Sequence, residues 1–90
     1  MTSKTITLAS TDYFHARPAA QIAAAARPFK SVVMVTLGTS IANAKDALSL
    51  MRLGHPNGAS VEFLADGPDE LAALKAVLEA VEKAFTLQYA

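Results

Sequence analysis

The apolar residues of this chain keep switching between two periods, and the breakers that separate the switches leave few folds open to it. Ile6 and Leu8 alternate with Thr5 and Thr7, the two-residue period of a strand with one buried face, so Lys4 to Leu8 is the first predicted strand. Between Ala16 and Ala26 the positions Ala19, Ile22, Ala23 and Ala26 recur at three- and four-residue spacings, the period of a helix face. Pro28 ends that helix, because the residue before a proline is pushed out of the helical region. Pro18 falls in its first turn, where a missing N–H has no intrahelical partner to lose. The β-branched run from Ser31 to Leu37, the turn Gly38-Thr39 and the return Ser40-Ile41-Ala42 predict a hairpin. Asp46 suits the N-cap of a short helix over 47–53, and Gly54 its left-handed stop. Pro56-Asn57-Gly58 turns the chain, Ser60 to Ala65 forms a strand with Val61, Phe63 and Ala65 on one face, and Gly67-Pro68 breaks it. Leu71, Leu74, Leu78, Val81 and Phe85 then mark an amphipathic helix starting at Asp69, with Asp69 and Glu70 capping its positive end and residues 86–90 as a frayed tail.

The predicted order is therefore βαββαβα. The strands are half-apolar, so one sheet face is covered and the other meets water. This is an α+β open-faced β-sandwich: a mainly antiparallel four-stranded sheet with three helices on one face, built as a single domain over residues 1–90. Nineteen alanines, four of them consecutive from Ala23 to Ala26, suit helices that pack closely on a flat partner.

Composition removes several functions. Eight Lys and Arg balance eight Asp and Glu, which lacks the basic excess of a dedicated nucleic-acid binder. The balance hides a polarity, since residues 13–56 hold Arg17, Arg27, Lys30, Lys45 and Arg52 against Asp46 alone while the acidic residues gather after it. The absence of cysteine excludes disulfides, thiolate metal sites and thiol catalysis. No signal-peptide block or membrane-length apolar run occurs, so a cytoplasmic domain without stable membrane association is expected. The two histidines, His15 and His55, lie too far apart in sequence for a local metal motif, and no paired carboxylates or Ser-His-Asp constellation emerges.

His15 is distinguished by position. It immediately precedes the first predicted helix, so the first backbone N–H groups, those of Ala16 and Arg17, face the space near its ring at the positive end of the helix dipole. A cationic imidazolium is disfavoured there, and the neutral ring keeps a lone pair for attack. A phosphoryl group added to the ring would meet backbone donors and the Arg17 guanidinium. The bland alternative is a histidine that merely starts a helix beside a solvated arginine.

The run Phe14-His15-Ala16-Arg17-Pro18-Ala19-Ala20 resembles the active-site signature of the HPr family, the histidine phosphocarriers of the bacterial phosphoenolpyruvate-dependent sugar phosphotransferase system. The resemblance covers nearly the whole chain through the element order, the hairpin, the short helix ending at Gly54 and the C-terminal helix. It implies that His15 accepts a phosphoryl group on Nδ1 from the phosphohistidine of enzyme I and passes it to an EIIA domain of a sugar permease or a related regulator. Arg17 would be the phosphate partner. Such a protein is a carrier with a phosphohistidine intermediate, not an independent enzyme, and it needs no metal or organic cofactor. The family docks partners over the short helix, which implies Ala20, Ala47, Leu48 and Met51, with Arg27, Lys45 and Arg52 as a positive rim; a monomer is expected as the working form because transient exchange needs one accessible face.

The chain departs from the family pattern at two places. Tyr13-Phe14 stands where a glycine and an aliphatic residue are usual, so either the turn differs or Tyr13 bears strain with its ring partly over His15, against the bland alternative of two aromatics packed on the sheet edge. Asp46 stands where many members carry a regulatory serine. It is either simply a good N-cap or a fixed negative charge, and the second reading allows a non-transferring regulatory adaptor of the same fold.

Overall fold

A computed structural model of the chain describes residues 1–8, 14–54 and 59–85 and the backbone of 87–88. The elements are β1 (Thr2–Leu8), α1 (Ala16–Ala26), β2 (Val32–Leu37), β3 (Ser40–Asn43), α2 (Ala47–Met51), β4 (Ser60–Asp66), α3 (Glu70–Ala84) and β5 (Leu87–Gln88). The strand order is β3-β2-β4-β1-β5. Every pairing is antiparallel, with Ile6 opposite Val61 in β1–β4, Val35 opposite Phe63 in β2–β4 and Val35 opposite Ala42 in β2–β3. The predicted open-faced sandwich is thus present, four principal strands carrying three helices.

Each register follows from the pleat, since a slip of one residue would turn a strand's apolar side to water. Ile6, Leu8, Val33, Val35, Val61, Phe63 and Ala65 are buried on the covered face. Thr5, Ser60 and Glu62 lie on the other face, where the Thr7 and Ser60 hydroxyls sit 3.3 Å apart. From α1 the core receives Ala19, Ile22 and Ala26, and from α3 it receives Ala73, Leu74, Val77 and Val81. Each fully buried Val, Leu or Ile contributes about 1.5–3 kcal/mol, which is why this face sets the register.

Two expectations are corrected. Leu71 does not head the buried stripe of α3 but is 74% exposed, and the stripe runs through Ala73, Leu74, Val77 and Val81 to Phe85. Two alanine or valine positions beside the leucines turn the helix, so spacing between leucines alone misplaces its face. The tail is not wholly free: Leu87 pairs with Leu8 and Gln88 with Thr7, adding a two-residue edge strand. The turns behave as predicted, with Gly38 at φ 61° and Gly54 at φ 71°, a region that favours glycine.

Asp69 is the N-cap of α3, its carbonyl accepting from the Ala73 N–H at 2.9 Å, and Glu70 is the acid of the first turn. The Asp69 side chain makes no capping bond to its own helix. It reaches across to the segment just before β2, accepting from the Lys30 N–H at 3.0 Å, the Ser31 N–H at 2.9 Å and the Ser31 hydroxyl at 2.5 Å, while the Ser31 Oγ accepts from the Asp69 N–H at 3.1 Å. These donors, the Ser31 hydroxyl foremost, push the Asp69 carboxyl down to about 2. Glu70 takes the Met1 ammonium at 2.6 Å and the Gly67 N–H at 3.2 Å, and the ammonium holds its carboxyl below the usual range.

Candidate functional site

His15 is the N-cap of α1, as its sequence position predicts. Its backbone is extended (φ −86°, ψ −177°), and its carbonyl accepts from the Ala19 N–H at 3.0 Å, the first bond of the helix. Its side chain makes no capping bond, in contrast to the residues usually found at an N-cap. The ring is half-buried while Ala16 and Arg17 are exposed. No acidic residue lies in the first turn of α1, so nothing on that turn neutralises the positive end of the helix. Pro18 is buried at the third helical position and anchors the turn without sacrificing a bond.

The approach to His15 is fixed from behind. Phe14 is 1% exposed and its N–H donates to the Gly54 carbonyl at 3.3 Å, tying the residue before His15 to the end of α2. The Phe14 ring meets Phe85 edge-on, with centroids 5.4 Å apart and planes at 79°. The aromatic at position 14 therefore packs into the core, while Tyr13 and His55 lie outside the described residues.

Beyond α1, Asp46 caps α2 by accepting from the Leu48 N–H at 3.0 Å and, more weakly, the Ser49 N–H at 3.5 Å. A five-residue helix is too short to hold itself together, so it depends on that cap and on Leu50, its one fully buried side chain. Leu48 and Met51 point outward, 66% and 38% exposed, whereas Ala47 packs against the core. Ala20, Arg27 and Arg52 are exposed as well. The predicted positive rim is partly tied down: Arg27 Nε donates to the Lys45 carbonyl at 3.0 Å, and Lys45 Nζ donates to the Phe29 carbonyl at 2.6 Å. These bonds clasp the end of α1 to the entry of α2. Ser49 serves the same local frame, its Oγ accepting from the Asn43 N–H at 2.9 Å.

Sequence reasoning did not find the Phe14–Phe85 pair or the Asp69–Ser31 link. Each joins residues far apart in the chain, and the only signals were an aromatic in a polar turn and a serine at a strand start. Among the described residues no group of three or more His, Asp or Glu side chains gathers as a metal site, and no helix is long and apolar enough to cross a membrane.

The family model described as the PTS HPr component phosphorylation site matches residues 2–83. The phosphocarrier protein HPr of Treponema pallidum (strain Nichols) is 39% identical over 77 residues, covering 86% of this chain and 88% of the relative. A solved structure of HPr-C-His from Thermoanaerobacter tengcongensis is 35% identical, covers 94% of this chain and 96% of its own, and superposes with a TM-score of 0.82. An HPr dimer from the same organism, also 35% identical, covers 96% and 99% with a TM-score of 0.71. The sheet topology, the histidine at the head of α1 and these matches lead to one conclusion: the chain belongs to the HPr family of phosphocarrier proteins of the phosphotransferase system.

Proposed function

We propose that His15 accepts a phosphoryl group from the phosphohistidine of enzyme I and hands it to an EIIA domain, with Arg17 as the phosphate partner. The observation that carries this reading is His15 as the N-cap of a helix whose first turn holds no acid and whose second residue is an exposed arginine. The His15 Nδ1 lone pair attacks the phosphorus as the P–N bond to the donor ring breaks, and that bond's electron pair stays with the donor imidazole. His15 then gives up its Nε2 proton and the departing ring gains one, so phosphoryl and proton move in opposite directions and no water is consumed. Such a loose transition state demands positioning and charge stabilisation above all. The N–H groups of Ala16 and Arg17 and the Arg17 guanidinium would receive the phosphoryl oxygens.

Docking falls on Ala20, Leu48 and Met51, with Arg27, Lys45 and Arg52 as the positive rim and Ala47 packed beneath. Exposed methionine suits a surface that meets more than one partner. The protein acts in the cytoplasm as a monomer, because transfer in two directions uses one open face, and sedimentation at working concentration distinguishes this from the dimer seen in its relative.

Incubation with phosphoenolpyruvate and enzyme I is expected to add one acid-labile phosphoryl group to the protein and none to His15→Ala. Equal labelling of His15→Ala refutes the assignment. Absence of labelling in the wild type, beside tight binding of another protein, would instead favour the adaptor with Asp46 as a fixed charge.

A further inference from the structure

We propose that Phe14 and Phe85 form a positioning pair that holds His15 in its transfer geometry, so that the end of α3 sets the efficiency of the site at the head of α1. The inference rests on the reading of His15 as the phosphoryl acceptor. Phe14 is 1% exposed and Phe85 7% exposed, and their rings meet at 5.4 Å and 79°. That is the edge-to-face arrangement aromatic quadrupoles favour, with a directional preference an aliphatic contact lacks.

The pair acts with two other tethers. The Phe14 N–H donates to Gly54 O at 3.3 Å, and His15 O accepts from Ala19 N–H at 3.0 Å, so the backbone on either side of the His15 ring is fixed to different elements. Phe85 is itself anchored as the C-cap of α3, its N–H donating to Val81 O at 2.9 Å. The chain beyond it returns to β1, with Leu87 opposite Leu8. Both Leu8 and Phe14, which flank residues 9–13, are thus held by the same C-terminal segment. Loosening the Phe14 ring would let the His15 Cα swing about the Gly54 bond. Phosphoryl transfer has a narrow angular tolerance, so fewer His15 conformers would be competent to attack. Neither phenylalanine touches the reacting atoms: both are positioning residues.

The test uses Phe85→Leu, which keeps the apolar bulk and removes the ring, and Phe85→Tyr, which keeps the ring. Transfer from phosphorylated enzyme I is measured as kcat and KM at 20 °C, beside the His15 ring ¹H–¹⁵N spectrum and thermal melting. Phe85→Leu is expected to lower kcat about three- to tenfold with KM within about twofold, and to shift or broaden the His15 ring signals. Phe85→Tyr restores both. Phe14→Leu behaves like Phe85→Leu, and the double variant is no slower than either single one, as expected for partners in one contact. Leu74→Ala, a core change elsewhere on α3, controls for stability by lowering the melting temperature without moving kcat. Wild-type kcat in Phe85→Leu overturns the proposal, as does an equal kcat loss in Leu74→Ala. Should the wild type take up no phosphoryl group, the parent reading falls, and the ring spectrum decides the pair alone: unchanged His15 signals in Phe85→Leu overturn it.

Discussion

Removing the Ser31 hydroxyl tests how the head of α3 is joined to the turn that leads from α1 into β2. Ser31 is 1% exposed, and its hydroxyl both donates to Asp69 at 2.5 Å and accepts from the Asp69 N–H at 3.1 Å. Ser31→Ala therefore deletes a charge-assisted bond and strands a backbone donor, while the volume lost is one oxygen. Hydrogen bonds to charged groups contribute about 1.5–3 kcal/mol, and neutral ones about 0.5–1.5 kcal/mol. Asp69 is half-exposed, so water recovers part of the loss, and a net loss of about 1–3 kcal/mol follows for Ser31→Ala. In a domain of this size that lowers Tm by about 4–24 °C at pH 7. The sign with pH is fixed by Asp69, whose carboxyl is lowered from 3.8 to about 2 on folding. A depressed carboxylate stabilises the fold above its unfolded value, and that contribution disappears as pH falls from about 4 towards about 2. Urea unfolding at pH 7 and at pH 2.5 should therefore show the gap between wild type and Ser31→Ala narrowing in acid. A gap that is absent at pH 7, or that stays constant down to pH 2.5, refutes the reasoning. Phosphoryl transfer at 20 °C is expected to be unchanged, because the link lies at the opposite end of α1 from His15.

Three further outcomes follow from contacts already described. A Cβ at Gly67 would stand 2.6 Å from Ser31 Oγ and 2.7 Å from Ser31 Cα at φ 153°, so Gly67→Ala should destabilise by about 2–4 kcal/mol in urea unfolding, more than Ser31→Ala itself. Asp46→Ala removes both capping bonds of α2 and should lower stability by about 0.5–2 kcal/mol, with amide exchange of Leu48 and Ser49 accelerating first. Leu71→Ala should stay within about 0.5 kcal/mol of wild type, whereas Leu74→Ala should lose about 2–5 kcal/mol, a contrast that calorimetry can check directly.

The parts of the fold that were legible are those whose information is local. The bounds 16–26 for α1 were readable because Pro18 and Pro28 constrain backbone angles on their own, and Gly54 was readable as a stop because its φ of 71° disfavours other residues. His15 was readable as the residue before α1 for the same reason. What escaped depends on pairs that only the folded chain brings together. Asp69 is the N-cap its sequence position suggests, yet its carboxylate is taken by Ser31 and Lys30, 38 and 39 residues away. Leu71 satisfies a leucine spacing, yet Ala73 and Val77 decide the helix face because they fit against the sheet. Lys45 reads as a free cation until the Phe29 carbonyl is seen 2.6 Å from its Nζ.

The form of the site bears on what a carrier requires. A protein that must both take and give a phosphoryl group gains nothing from binding it tightly, since each 1.4 kcal/mol of added stabilisation shifts the exchange about tenfold towards retention. On the proposed role of His15, two stabilising elements at it are small and separate: one helix end, worth about 0.3–2 kcal/mol, and one exposed arginine. Rigidity can be placed elsewhere without that penalty. Phe14 is held by Gly54 and Phe85, and Lys45 and Arg27 clasp α1 to α2 through backbone carbonyls, none of which grips the phosphoryl group itself. If His15 is the acceptor, fixing the backbone behind it raises the rate of transfer without moving its equilibrium. On this argument Arg17→Ala and Phe85→Leu separate cleanly: the first shifts the equilibrium between carrier and donor, and the second slows both directions alike.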